Sequence, residues 1–383
     1  MAKFKDFPLR IIAPTFDSHL INLIIDLDSL RKKTLYGSTK PIIFFQLKHI
    51  FHILESIASA RIEGNNTAVV DYIETKIDRP KISLETEHRE IQNMEGCLEF
   101  IDNNVVDSKI DRAFISELHK IVVKDLPIVG SGEGDETPGV YRSKLVSINN
   151  SEHITPEPIA VPAYMEELIN FIANTDEPKY DLLKTAISHH RFVWIHPFNN
   201  GNGRTVRMLT YAMLVKYGFN INEGRILNPA AIFCNDRDDY YSKLALADAG
   251  TDKNLLVWCE YVLKGLSDEI EKIDRMLTYG FLQEKILFPA LDYARDNAWV
   301  TEKEYKILKV AIDKQIITAS DLSSAISSKH ASDRSRVIRQ LRNKKMLTLV
   351  AGSQRKYAIC FKNNYLLRGI INQLYNEGLV PIN

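Results

Sequence analysis

A glycine-rich loop that opens a helix limits what this chain can fold into more than any other feature of its sequence. The loop contains Gly201, Asn202 and Gly203, and apolar residues recur at helical spacing after it. The first turn of a helix carries unpartnered backbone N–H groups and the positive end of the helix dipole, so it favours an anion. Arg204 and Arg207 are three residues apart on that turn and can both donate hydrogen bonds to the same anion. The pattern predicts a phosphate-binding site.

His196 stands at the other end of this loop. An imidazole has an unperturbed pKa of about 6.5, so at neutral pH it can take a proton from an attacking hydroxyl group. A single histidine at a helix end more often only caps a turn, but the loop and the two arginines favour a catalytic base. The neighbouring His189 and His190 lack a matching second pair of metal ligands, so we interpret them as core or capping residues.

The string from His196 to Arg207 resembles the motif of the Fic family, H-P-F-x-[D/E]-G-N-G-R-x-x-R. It reads His196-Pro197-Phe198-Asn199-Asn200-Gly201-Asn202-Gly203-Arg204-Thr205-Val206-Arg207 and matches every fixed position except one. In the family an acidic residue binds magnesium at the position that Asn200 occupies here. An amide oxygen can ligate a hard cation but brings no charge, so we expect weaker metal binding at Asn200.

The resemblance covers roughly residues 40 to 280 and implies an all-helical core that transfers AMP from ATP to a Ser, Thr or Tyr hydroxyl of another protein. It implies that His196 is the general base and that pyrophosphate leaves. The two arginines would grip the β- and γ-phosphates, and Mg²⁺ or Mn²⁺ would be the metal. The residues that the resemblance assigns to ATP are Gly201, Asn202, Gly203, Arg204, Arg207, Asn235 and Tyr240.

A second motif, Ser59-Ala60-Arg61-Ile62-Glu63-Gly64, resembles the inhibitory motif of the same family, [S/T]-x-x-x-E-[G/N]. It ends a helix predicted over residues 41–64, where Gly64 supplies a left-handed cap. Glu63 then lies at the negative end of the helix dipole, which disfavours an anion by roughly 0.3–1 kcal/mol, so a cationic partner is expected. The resemblance implies that this partner is Arg207, which would be lost to the γ-phosphate. The alternative is a glutamate that faces solvent.

The segment from Asp125 to Pro162 is rich in glycine and proline and cannot form a long helix. Within it, Gly139-Val140-Tyr141-Arg142 followed by Ile154, Thr155 and Pro156 resembles the flap along which Fic proteins align a target segment. We predict a short hairpin there, with Leu145-Val146-Ser147-Ile148 as one strand. The alternative is a loop that is only stiffened by proline.

Helical periodicity along most of the chain predicts a mostly α-helical protein. We expect three parts: an N-terminal helical region over 1–100 with the inhibitory helix at about 44–64, a Fic core over 101–285, and a C-terminal domain over 286–383. The C-terminal pattern gives two short helices followed by two strands within 346–359, an order typical of a winged helix-turn-helix domain.

The C-terminal residues are basic although the whole chain has no net charge. Residues 301–383 hold 15 Lys or Arg and 6 Asp or Glu, a difference of +9. Seven of these basic residues lie between Lys329 and Lys345, on the predicted recognition helix, where they could neutralise DNA phosphates. The same fold also serves in protein contacts or dimers, so a DNA partner and a homodimer both stay open.

No stretch approaches the roughly 20 apolar residues of a membrane span, and the first residues lack a secretory signal, so we expect a cytoplasmic protein without membrane contact. The four scattered cysteines indicate neither a zinc site nor disulfides. Self-restrained AMP transfer is the leading function. Two alternatives are a DNA-binding regulator with a weakly active, nucleotide-sensing Fic core, and transfer of another phosphate-containing group.

Overall fold

The computed structural model describes residues 4–32, 38–78, 86–128, 132–148, 151–174, 176–219, 229–323, 325–326, 331–362 and 364–379. The chain divides into two compact units. The first comprises Met1–Thr34, Glu55–Asn66 and Leu84–Ile270, and the second comprises Leu35–Leu54, Thr67–Ser83 and Glu271–Asn383. The domain boundaries predicted above stay predictions.

The described residues are mostly helical, as predicted. In chain order the α-helices are α1 (His19–Lys32), α2 (Pro41–Ile62), α3 (Val69–Asp78), α4 (Thr86–Asn104), α5 (Arg112–Val122), α6 (Val161–Ala173), α7 (Asp181–Ile195), α8 (Asn202–Lys216), α9 (Pro229–Cys234), α10 (Arg237–Ala247), α11 (Asp252–Asp274), α12 (Tyr279–Phe281), α13 (Phe288–Asp296), α14 (Glu302–Lys314), α15 (Ala331–Asn343) and α16 (Tyr365–Asn376). A π-helix, Leu282–Leu287, joins α12 to α13.

Two helices that are buried on nearly all sides, α7 and α8, form the centre of the first unit. Such helices need apolar or hydrogen-bonded residues around their whole circumference. Accordingly, buried His189 is bonded to the hydroxyl groups of Thr210 and Tyr240, and His190 is 2.9 Å from Asp248. The prediction that both histidines are core residues agrees with these contacts. The helices α4, α5 and α6 pack around this pair.

The second unit contains a small α/β arrangement at its C-terminal end. A capping box of Thr301 and Glu304 begins α14, a 3-10 helix follows at Ala319–Ser323, and α15 leads into two antiparallel strands, β1 (Leu347–Leu349) and β2 (Tyr357–Ile359). Ile317 adds one bridge to Tyr357. The helices and strands appear in the predicted order, while the assignment to the winged helix-turn-helix class stays a prediction.

The strand predicted at Leu145-Val146-Ser147-Ile148 is wrong, because these residues are irregular. The hydroxyl group of Thr155 donates a hydrogen bond to the carbonyl oxygen of Val146 at 3.0 Å. The described residues around Val146 and Thr155 do not form paired strands. Side-chain bonds, as described below, hold this segment instead. Among the described residues, no helix is both long and apolar enough for a membrane span; the cytoplasmic location stays a prediction.

Candidate active site

The loop between α7 and α8 turns sharply through two residues with left-handed backbone conformations. His196 ends α7 at φ 53°, and Gly201 precedes α8 at φ 69°. A histidine rarely adopts this conformation, so the surrounding contacts must hold it. The guanidinium of Arg142 donates to the carbonyl oxygens of His196 at 2.8 Å and of Pro156 at 2.6 Å. Arg142 thereby ties the segment predicted as a flap to the histidine.

Asn202 braces the loop from inside. Its amide oxygen accepts from the backbone N–H of Phe198, and its amide nitrogen donates to the carbonyl oxygen of the same residue, both at 2.9 Å. Both ends of the Asn202 amide are therefore used to hold the loop together. The groups of the loop that can bind an anion are the backbone N–H groups at the start of α8.

The imidazole of His196 is suited to accept a proton. Burial lowers its pKa to about 4, so the ring is neutral at pH 7. Nδ1 lies 3.3 Å from the carbonyl oxygen of Val193, which can only accept a hydrogen bond. The proton of the neutral ring is therefore on Nδ1, and Nε2 keeps its lone pair.

Arg207, the second arginine of the motif, makes three hydrogen bonds to Ser59 and Glu63 at the end of α2. Its guanidinium donates to the hydroxyl group of Ser59 at 2.7 Å, to the carbonyl oxygen of Ser59 at 2.9 Å and to a carboxylate oxygen of Glu63 at 2.7 Å. Gly64 has a left-handed backbone conformation at φ 103° and lies just after the end of this helix. The predicted cationic partner of Glu63 is therefore in place.

The carboxylate of Glu63 also lies directly over the first turn of α8. A Cβ atom placed on Gly203 would be 2.2 Å from Oε1 of Glu63, so only a glycine at this position leaves room for the carboxylate. Burial raises the pKa of Glu63, but the charges of Arg207 and Arg204 outweigh burial and lower it overall. Glu63 thus stays ionised in the space where the loop favours an anion.

Arg204 is held by two further carboxylates that sequence reasoning missed. One guanidinium nitrogen lies 2.9 Å from Glu90 on α4. The other donates to the carboxylate of Glu133 at 2.7 Å and to its carbonyl oxygen at 2.9 Å. No local signal in the sequence marks Glu90 or Glu133, because both reach Arg204 from distant segments.

Asn200 clamps a second glycine-rich segment against the loop. Its amide nitrogen donates to the carbonyl oxygens of Gly132 at 3.0 Å and Gly134 at 3.3 Å. Its amide oxygen accepts from the N–H of Gly201 at 2.7 Å. The donor must face the two carbonyls, which fixes the orientation of the amide. Asn200 is thus bonded within the protein through both ends of its amide, and the metal-ligand role that the resemblance implies for it stays a prediction.

Two more buried residues support the loop. Asp135 accepts hydrogen bonds from the backbone N–H groups of Asn199 at 3.1 Å and Asn200 at 3.2 Å. His119, on α5, accepts from Gly139 N–H at Nδ1 (2.8 Å), which leaves Nε2 to donate to the Asn200 carbonyl oxygen at 3.0 Å. Burial lowers the pKa of His119 to about 4. His119 falls on the apolar face of α5, so its pattern indicated only a core residue.

The residues predicted for the nucleoside side lie in the first unit but have partners of their own. The hydroxyl group of Tyr240 is 3.0 Å from His189, and the ring is buried. The amide of Asn235 donates to Glu269 at 3.4 Å. In the predicted flap, the side chain of Ile154 is exposed. The hydroxyl group of Thr155 donates to the carbonyl oxygen of Val146, and the carbonyl oxygen of Pro156 accepts from Arg142. The roles predicted for these residues stay predictions.

Comparisons with known proteins agree with this geometry. Residues 109–214 match the sequence model of the Fic/DOC family. The protein adenylyltransferase Fic of Nematostella vectensis is 30% identical over 213 residues, which are 54% of this chain and 44% of that protein. The corresponding protein of Aedes aegypti is 26% identical over 210 residues, which are 53% of this chain and 37% of that protein. The chain thus spans less than half the length of these curated relatives.

Solved structures share the fold. A Fic family protein from Desulfovibrio desulfuricans aligns with a TM-score of 0.56 at 20% identity and covers 91% of this chain and 98% of its own. A Fic domain containing signaling protein from Bacteroides thetaiotaomicron aligns with a TM-score of 0.53 at 21% identity and covers 67% of this chain and 97% of its own.

Proposed function

We propose that this chain, whose residues 109–214 match the sequence model of the Fic/DOC family, transfers AMP from ATP to a hydroxyl group of a protein. The observation that carries the proposal is the neutral His196, whose Nε2 keeps a free lone pair beside an anion-binding helix N-terminus. The names of the curated relatives, protein adenylyltransferase Fic, support the same reaction.

In the proposed reaction the oxygen of a Ser, Thr or Tyr hydroxyl attacks the α-phosphorus of ATP. Its proton passes to Nε2 of His196, a bond forms between the hydroxyl oxygen and phosphorus, and the bond to the bridging oxygen breaks so that pyrophosphate leaves. The N–H groups at the start of α8 stabilise the charge on the phosphates. Positioning supplies most of the rate, and the base contributes roughly 10²–10⁴-fold.

The proposal includes a restraint by Glu63. Its carboxylate lies over Gly203 and holds Arg207, so a γ-phosphate that needs the same arginine and the same space must compete with it. Two anions cannot share one such site without strong repulsion. Removing the carboxylate of Glu63 should therefore increase AMP transfer.

No step of this proposal depends on a metal ion held by Asn200, since both ends of its amide are bonded within the protein. Mg²⁺ or Mn²⁺ would then be held by the nucleotide rather than by this side chain. A protein target follows from the proposed reaction. DNA binding and a homodimer stay predictions.

The test compares wild type, Glu63→Gly and His196→Ala after incubation with ATP and Mg²⁺ or Mn²⁺, with and without lysate proteins, by intact-mass spectrometry. Glu63→Gly should gain the mass of AMP, or label a lysate protein, faster than wild type, and His196→Ala should not. Glu377→Gly is the matched control, because Glu377 also precedes a glycine at a helix end and is exposed. AMP transfer is the wrong reaction if no variant gives an adduct.

A competition arm addresses the alternative that another phosphate-containing group is transferred. Adduct masses are measured for Glu63→Gly with ATP, GTP, CTP and UTP in turn. A mass that matches AMP with ATP alone supports the proposal. A different adduct mass, or equal use of all four nucleotides, supports the alternative.

A further inference from the structure

We propose that the second unit has a phosphate-binding pocket of its own, formed where the 3-10 helix Ala319–Ser323, α15 and β2 meet. The pocket has a volume of about 500 Å³, which lies within the range of roughly 300–1,000 Å³ for small-molecule sites. Its ligand would be the phosphate groups of a nucleotide, either free or within a nucleic acid strand.

Three arginines from two different elements converge on this pocket. Arg339 and Arg342 come from α15, and Arg355 comes from the turn that leads into β2. Ser335, Arg339 and Arg342 follow one another at steps of four and three residues, so they share one face of the helix. Each guanidinium offers donors in a planar fork that matches phosphate oxygens.

None of these three guanidinium groups has an acidic partner within the described part of the chain, and all three arginines are exposed. By contrast, Arg336 on the same helix lies 4.0 Å from Asp333. The nearest carboxylate of the 3-10 helix, Asp321, is bonded to Lys314 and to Thr318. Its charge is therefore offset by a lysine, and the pocket keeps a positive charge that a phosphate can neutralise.

The rest of the lining suits a nucleotide better than a bare anion. Thr318 and Ser335 contribute hydroxyl groups, while the ring of Tyr357 and the side chain of Ile338 provide a less polar surface. A base can stack on an aromatic ring, and such stacking is worth roughly 1–3 kcal/mol per base. Arginines for the phosphates and a ring for the base thus lie in one cavity.

The test uses the full chain and two probes. In the first arm, 8-azido-ATP is photo-crosslinked to the protein and the labelled peptides are mapped. In the second arm, a fluorescein-labelled single-stranded oligonucleotide is titrated by fluorescence polarisation. Arg342→Ala/Arg355→Ala is compared with wild type and with Arg336→Ala, an exposed arginine of the same helix outside the pocket. Circular dichroism checks that all three proteins are folded.

The expected result is that wild type is labelled on peptides from residues 318–357, or that it binds the oligonucleotide. The amount of label or the affinity for the oligonucleotide should fall at least tenfold in the double variant and should not fall in Arg336→Ala. Label identifies a free nucleotide as the source, and polarisation identifies a strand. The proposal is overturned if neither probe binds at low salt, or if the double variant binds as wild type does. Label on peptides around residues 196–214 reports only on the proposed Fic activity, so the two proposals can fail separately.

Discussion

Replacing Asn200 by aspartate separates the two roles that this position can have. The Fic motif has an acidic residue here, so Asn200→Asp would be expected from the motif alone to improve metal binding. In this structure, however, the substitution replaces a donor to the carbonyl oxygens of Gly132 and Gly134 by a carboxylate that can only accept. The introduced charge would also lie beside Asp135, which already receives the N–H of Asn200.

The expected loss of stability follows from these contacts. Each hydrogen bond contributes about 1 kcal/mol net, so Asn200→Ala, which removes all three bonds of the amide, should lower the free energy of unfolding by about 3 kcal/mol. Asn200→Asp keeps an acceptor for Gly201 N–H and loses the two donated bonds, about 2 kcal/mol. A carboxylate that faces two carbonyls and a second carboxylate adds a further ~1–2 kcal/mol, and Asn200→Asp should therefore lose about 3–4 kcal/mol. Repulsion from Asp135 raises the pKa of the introduced carboxyl, so the loss relative to wild type should shrink as the pH falls and that group is protonated.

Urea denaturation at pH 5 and pH 8 measures these differences, and Asn376→Asp, an exposed residue at the end of α16, is the control for adding a negative charge. Mn²⁺ binding is followed in parallel by electron paramagnetic resonance in the presence of ATP. The clamp interpretation would be refuted if Asn200→Asp were as stable as Asn376→Asp and bound Mn²⁺ more tightly than wild type.

Three further substitutions test the support of the site. Glu55, a buried residue of α2, accepts a hydrogen bond from the backbone N–H of Ala230 at 2.8 Å, and the charge of Arg207 acts on it. Burial nevertheless raises the pKa of Glu55 to about 8, so the folded state keeps a proton that the unfolded state releases above about 4.5. Wild type should therefore lose stability from pH 5 to pH 8 in thermal melts, and Glu55→Gln should lose less. Because burial lowers the pKa of His119 to about 4, wild type should lose stability as pH falls from about 6.5 to 4, and His119→Gln should show a shallower loss in urea titrations. Arg142→Ala removes the bonds that hold His196 and Pro156; in the Glu63→Gly background it should reduce the rate of AMP transfer at least tenfold, which kinetic assays at saturating ATP would detect, whereas an unchanged rate would contradict the positioning role.

Several helices could be predicted from sequence because they have strong local signals. The periodic apolar pattern over residues 41–64 predicted α2, which ends within two residues of the expected glycine cap. The loop after α7 was marked by glycines that the turn requires, and Gly201 indeed has a positive φ. The strand predicted at Leu145–Ile148 failed because a run of four residues is a weak signal, and side-chain bonds such as the one from Thr155 are found in place of a strand ladder.

The remaining parts of the site could not be predicted because they depend on contacts between distant segments. Glu133 and Asp135 lie in a glycine-rich stretch that has no periodicity, and the bonds of Asn200 to Gly132 and Gly134 help to hold that stretch against the loop. His119 has the spacing of a core residue, and only its two backbone partners show that it joins Gly139 to the loop at Asn200. A sequence records the types of these residues but not the approach of their segments.

Carboxylates of the chain itself pair with Arg204 and Arg207 and accept from the backbone N–H groups of Asn199 and Asn200. The exposure of these carboxylates separates those that can leave from those that cannot. The side chains of Asp135 and Glu90 are 0% and 5% exposed, so moving either would leave a buried charge without partners. Those of Glu63 and Glu133 are 27% and 35% exposed, and water can take over their hydrogen bonds. Under the proposed function, an incoming triphosphate would therefore displace Glu63 from Arg207 and Glu133 from Arg204, while Asp135 and Glu90 keep the loop in shape. Glu63 follows Ile62, the last residue of α2, so under the proposed function its side chain can leave Arg207 while the helix stays intact, and the restraint can be relieved without unfolding the site.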